Sequence, residues 1–180
     1  MEQTSPTTTA AGPAATPAAA AGKDGGKISS KLILPFVNST RQVFKTMVKV
    51  DTKILTPHRK ENPLVSYDVS GIIGFSGEII GSAVVSFQAA AARKLVEAFA
   101  GMDLELTSPD FADAIGELAN MIAGSAKKDL GATANITVPS VVIGSGHLIA
   151  RLSGVPCIVI PCETPVGNFA VEVNIKPSAK

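Results

Sequence analysis

The sequence predicts an α+β domain: one mostly antiparallel sheet with long helices packed against it, in two loosely repeated halves. Three observations lead there. Apolar residues recur three or four apart in three separate segments, the period of an amphipathic helix. Runs rich in Val and Ile, punctuated by Gly and Pro, fill the stretches between them. The order is helix, strands, helix, then helix, strands, which reads as one pattern used twice.

At 180 residues the chain can build one domain with a real core. Residues 1–27 are mostly Ala, Pro, Thr and Gly, with almost no large apolar side chains. Such a stretch cannot bury enough surface to offset its ordering entropy, so a disordered tail is expected there, with a single domain over 28–180. It lacks the basic start and Leu-rich block of a signal peptide, and no later run is suited to cross a bilayer. The expected location is therefore the cytoplasm, with no membrane partner.

Ser29 to about Val50 is read as the first helix, with Phe36, Val37, Thr40, Phe44, Met47 and Val48 on one face and Pro35 in or near its first turn. Val50 to Pro57 is read as a strand and His58 to Pro63 as a polar connection. Val65 to Phe75 and Glu78 to Phe87 flank Ser76-Gly77, a hairpin signal. The glycines at 71, 74, 77 and 81 are expected to permit close approach or bulges. Gln88 to Gly101 is a second helix burying Ala92, Leu95, Val96 and Phe99, and strands are expected over Ala134 to Gly144, Gly154 to Pro161 and Phe169 to Ile175.

The bulk numbers exclude several functions. Aromatic residues make up 4% of the chain, Trp is absent and the net charge is +1, with 16 basic and 15 acidic residues. Neither a base-stacking platform nor a strong field for nucleic acid is present. Cys157 and Cys162 fall in an apolar run and read as small buried hydrophobes of a reduced protein, pointing to opposite faces of a strand. His58 and His147 have no second imidazole at ligand spacing, so no metal site is expected.

The longest helical pattern runs from Asp110 to Leu130. Phe111, Ile115, Leu118, Ile122 and Ala126 form its apolar stripe, and Asp113, Glu117, Asn120, Gly124 and Lys127 recur on another side. Ser108 or Asp110 can cap its start, Pro109 suits its first turn, Lys127 and Lys128 sit at the negative end of its dipole, and Gly131 ends it. A carboxylate one turn from a carboxamide can hold a cation with one group and aim a water molecule with the other. Spacing alone does not separate such a pair from an ordinary solvated face.

The pattern Asp113-x3-Glu117-x2-Asn120, continuing through Gly124, resembles the signature helix of the CheC/CheX/FliY phosphatases of bacterial chemotaxis. Blocks upstream (Tyr67 to Glu78) and downstream (Pro139 to His147) resemble the family in the same order, over about Lys31 to Ile175. The first helix lacks a Glu-x-x-Asn pair, so the resemblance is to the single-site CheX type and a packing role is expected for that helix. Pro139 resembles the proline that closes the family motif, after a shorter gap than in double-site relatives.

The resemblance implies a CheC-like fold and hydrolysis of the aspartyl phosphate of a CheY-like response-regulator receiver domain. It assigns Asn120 to positioning the attacking water and Glu117 to docking on the receiver's lysine. Asp113, Gly124 and Lys127 are expected to contact the partner. It implies no cofactor of the chain's own, Mg²⁺ being supplied by the receiver, and a homodimer formed through the sheets. The alternatives are a non-catalytic receiver-binding or flagellar-switch adaptor of the same fold, and a purely structural sheet-pairing protein.

Overall fold

The structure is a computed structural model that describes residues 29–131 and 133–179; the tail expected over 1–27 lies outside them. Helix α1 (Ser30–Val43) continues into a π-helical turn, Phe44–Val48. Strands β1 (Lys53–Ile54), β2 (His58–Arg59), β3 (Val69–Gly77) and β4 (Ile79–Phe87) follow, then helices α2 (Ala89–Ala100) and α3 (Pro109–Asp129). Strands β5 (Ala134–Ile136), β6 (Ser140–Ile143), β7 (Ile158–Thr164) and β8 (Gly167–Pro177) complete the chain.

All eight strands form one antiparallel sheet with β7, β8, β4 and β3 in its middle. β1 and β2 pair with β7 along one edge, and β5 and β6 pair with β3 along the other. Each half thus contributes a helix, an interrupted edge strand and a long hairpin. Each half's edge strand pairs with the other half's hairpin, which binds the expected repeats into one unit.

The interruptions correct two expectations. The strand expected over Val50 to Pro57 pairs only at Lys53–Ile54, and the supposed polar connection itself pairs at His58–Arg59. Between those pairs the edge uses Leu55, Thr56 and Pro57 where β7 uses Ile160 and Pro161. The extra residue makes a bulge, and Pro57 has no N–H to offer the ladder. The Ala134 to Gly144 run breaks in the same way: Thr137, Val138 and Pro139 lie opposite Ile73 and Gly74. The strand expected over Gly154 to Pro161 starts later and runs further, at Ile158–Thr164, because Gly154 (φ 72°) and the Val155 N–H bond to Leu152 O make a turn.

The helices cover one face. Phe36, Phe44, Phe87, Phe111 and Phe169 are fully buried between layers, and Phe44 stacks on Phe169 at 4.3 Å and 7°. Met47 is the exception to the face expected on the first helix: Phe36, Thr40, Phe44 and Val48 are buried, but Met47 is 44% exposed. A regular helix would bring residue 47 round beside Phe44. The π turn adds about one residue to the turn, so Phe44 and Val48 both point inward and Met47 rotates out. The turn closes on Lys49, the one non-glycine residue with positive φ (59°) among the described residues.

The other face is covered by the segments before β3 and before β7. Period-2 alternation aims Glu172 and Asn174 of β8 at them, and both are buried. Glu172 receives Lys60 at 3.0 Å and Arg151 at 2.7 Å, and the Ser66 N–H and hydroxyl donate to it at 2.8 and 2.7 Å. Asn174 accepts from the Leu152 N–H at 2.7 Å and donates to Val155 O at 2.9 Å. His147 donates from Nδ1 to Gly144 O at 2.7 Å, and its Nε2 is hydrogen-bonded with the Ser70 hydroxyl at 2.9 Å. Cys157 lies at this charged cluster, whereas Cys162 falls on the helix side with Ile160; both thiols are free and buried.

Candidate active site

Helix α3 begins as its sequence dictates. Of the two candidate caps it uses Ser108, whose hydroxyl accepts the Phe111 N–H at 3.1 Å, with Pro109 in the first turn and Asp110 behind it. Lys127 and Lys128 occupy the last turn, and the chain leaves through Gly131 at φ 66°.

The apolar stripe is buried to the last member: Phe111, Ile115, Leu118, Ile122 and Ala126 are at most 1% exposed. Three contacts then hold the rod. From α1, the Ser39 hydroxyl donates to Ile122 O at 2.6 Å. From β3, Gly71 comes so near that a Cβ placed on it would lie 2.8 Å from Ala119 Cβ and 3.1 Å from Ile115 O. From the bulge after β5, the Pro139 ring rests on Gly116, where an added Cβ would be 3.1 Å from Pro139 Cγ. Pro139 therefore buttresses the helix one turn before Asn120. The sequence pattern did not single out Gly116; a glycine inside a strong helical period was the available signal.

Held on those sides, α3 leaves its polar stripe on the open one. Asp113 and Glu117 are exposed, and Asn120, Gly124 and Lys127 are half-buried. The structure thus brings all five sequence-derived candidates to one surface. No ion pair among the described residues engages Asp113, Glu117, Lys127 or Lys128. Asn120 follows directly on Ala119, the residue in close contact with Gly71, so its amide projects from a part of the helix packed against the sheet. Among the described residues no three His, Cys, Asp or Glu side chains gather as metal ligands.

Gly124 lines a groove of about 440 Å³ between α1 and α3, together with Gln42, Thr46, Met47, Met121 and Lys128. Among the described residues a Cβ on Gly124 would meet only Ile136 Cδ1, at an ordinary 3.8 Å, so none of them demands glycine there. A larger groove of about 740 Å³ lies between the start of α1 and the β3–β4 turn and includes none of the five candidates. On α1 itself no acidic residue occurs from Ser29 to Val50, so it carries no second carboxylate–carboxamide pair.

Chemically, the pair offers a neutral amide and an anionic carboxylate on a rigid support. The amide can orient water beside a phosphoryl group without adding negative charge, and the carboxylate can receive a cation. A helical layer on a single antiparallel sheet, with such a pair on its longest helix, is the α+β arrangement of CheC-like proteins.

Comparison with known proteins places it further. A family model described as chemotaxis phosphatase CheX matches residues 69–163. The CheY-P phosphatase CheX of Thermotoga maritima is 28% identical over 121 residues, 65% of this chain and 78% of that protein. The crystal structure of chemotaxis protein CheX from Desulfovibrio desulfuricans is 34% identical and superposes with a TM-score of 0.74, covering 82% of this chain and 99% of that one. The CheX–CheY–BeF3–Mg²⁺ complex of Borrelia burgdorferi shares the fold, at 21% identity and a TM-score of 0.68 over 81% of this chain and 97% of that one. The chain belongs to the chemotaxis phosphatase CheX family.

Proposed function

We propose that this protein hydrolyses the aspartyl phosphate of a CheY-like receiver domain in the cytoplasm, in chemotaxis or a related two-component pathway. The observation that carries the proposal is the Glu117–Asn120 pair, one turn apart on the open side of a helix fixed on three others. In the proposed reaction the Asn120 amide holds a water in line with the acyl phosphate. The water oxygen bonds to phosphorus, the phosphorus–carboxylate bond breaks, and the receiver's aspartate and inorganic phosphate are released. Glu117 pairs with the receiver's lysine and sets how deeply Asn120 enters. A carboxylate beside an anionic phosphoryl group is a poor general base, which is why the water-orienting role goes to the amide. Mg²⁺ belongs to the receiver, where it neutralises charge on the phosphoryl oxygens.

Asp113, Gly124 and Lys127 sit on the same surface and are assigned to partner contact. Pairing of two copies through their sheets completes the proposal, with the β6 edge, where Val138 and Ile143 are exposed, as the candidate seam.

The test is the timed decay of a phosphorylated receiver. Asn120→Ala is expected to slow catalysed decay about 10²-fold, roughly 3 kcal/mol, while the protein still binds the receiver. Equal rates for the wild type and Asn120→Ala reject the mechanism. Binding with no acceleration by the wild type leaves a non-catalytic adaptor.

A further inference from the structure

The end of α1 breaks the helical period, and the break changes what lies beside the Glu117–Asn120 pair. The stacked rings of Phe44 and Phe169 pin the π turn to the sheet, so the exposure of Met47 is built in rather than a frayed end. π turns of this kind concentrate at functional sites, as do residues held in the left-handed region, and Lys49 follows at φ 59°. Met47 is thereby set on the rim of the groove whose other wall is Met121 and Lys128 and which reaches Gly124 of the polar stripe.

Charge marks the same surface. Ser29 to Val50 contains no acid, and Arg41, Lys45 and Lys49, toward the end of α1 that borders this groove, are exposed. None of them enters an ion pair among the described residues. The polar stripe, by contrast, presents Asp113 and Glu117, two carboxylates that would repel an approaching phosphoryl group. A cationic flank beside the stripe offsets that repulsion and steers an acidic partner into register.

We infer that the π turn of α1 is the second wall of the receiver-docking surface. In this arrangement Met47 and Met121 form an adaptable apolar contact, while Lys45 and Lys128 meet the acidic rim around the phosphorylated aspartate. The inference rests on the phosphatase reading above for its occupant: a receiver surface that is acidic at its phosphorylation pocket and apolar beside it. The groove's continuity with Gly124 is what ties the wall to the pair.

The experiment uses a CheY-like receiver phosphorylated with acetyl phosphate for kinetics, and the same receiver with fluoroberyllate for binding to Asn120→Ala protein. Met47→Asp is expected to raise both KM and Kd about tenfold with kcat held, while Met47→Leu stays within about twofold of the parent. Lys45→Glu combined with Lys128→Glu is expected to raise both constants and flatten their dependence on salt. Thermal midpoints of all variants monitor folding, and Met47 and Lys128 are exposed enough for the fold to survive. Kd unchanged in Met47→Asp and in the charge-reversal pair overturns the inference. A shift in self-association with receiver affinity unmoved also overturns it, assigning the groove to a second copy. If the wild type binds without hydrolysing, the phosphatase reading falls, whereas a tenfold loss of binding in Met47→Asp still supports the docking wall.

Discussion

Gly71 of β3 and Ala119 of α3 meet with no room for a side chain between them: a Cβ on Gly71 would sit 2.8 Å from Ala119 Cβ and 3.1 Å from the Ile115 carbonyl oxygen. The sheet-to-helix spacing is set at this point, and the next residue along the helix is Asn120. Gly71→Ala is therefore expected to lift α3 from the sheet. The overpacking should cost about 1–3 kcal/mol, read as a lowered urea midpoint. Receiver dephosphorylation should slow as well, because an error of about 1 Å at a positioning group can cost ~10²-fold.

Gly124→Ala is the opposite kind of change. The added methyl has space at 3.8 Å from Ile136 Cδ1, and alanine favours a helix interior by about 1 kcal/mol over glycine. The thermal midpoint should rise. If the groove floor serves a partner, KM for the phosphorylated receiver should rise too, so that stability and affinity move in opposite senses in one protein.

Glu117→Ala should weaken receiver binding about tenfold or more, with a smaller effect on the rate at saturating receiver. Raising the ionic strength should shrink the difference between the wild type and this variant, since the lost interaction is a charge pair at an exposed position. Titration calorimetry at two salt concentrations measures both.

Glu172→Ala should unfold far more easily than the parent. The substitution strands Lys60 and Arg151, whose side chains are 8% and 17% exposed, against the sheet with no anion. Breaking a buried pair this way costs about 3–5 kcal/mol. Replacing Glu172, Lys60 and Arg151 together with apolar residues should recover most of the loss, measured by chemical denaturation.

Much of this was legible from the residues. α3 declared itself through Ser108, Pro109, the unbroken apolar stripe and Gly131, because cap, dipole and period all point the same way. The β3–β4 hairpin followed from two Val/Ile-rich runs around Ser76-Gly77. The five candidate residues reached one surface because a helix carries positions three and four apart together. Met47 was misplaced because a hydrophobic period cannot reveal an extra residue in the turn; the cause is long-range, the stacking of Phe44 on Phe169. The edge strands were misjudged for a related reason. A bulge at Pro57 or Pro139 is defined by the partner strand, which a single chain segment does not display. Nothing in the sequence singled out Glu172, because its burial depends on two distant segments, carrying Lys60 and Arg151, closing over it.

The two cysteines have a practical corollary. Burial pushes the Cys162 thiol up to about 12, and burial raises Cys157 above its ordinary value as well. At neutral pH the reactive thiolate of Cys162 is then scarcer than one part in about 10⁴, so both natural sulfurs should stay silent toward maleimides while the native state persists. A single cysteine engineered at the exposed Met102, in the loop between α2 and α3, would take a fluorophore alone. Mass spectrometry should find one label per chain without prior removal of either native cysteine.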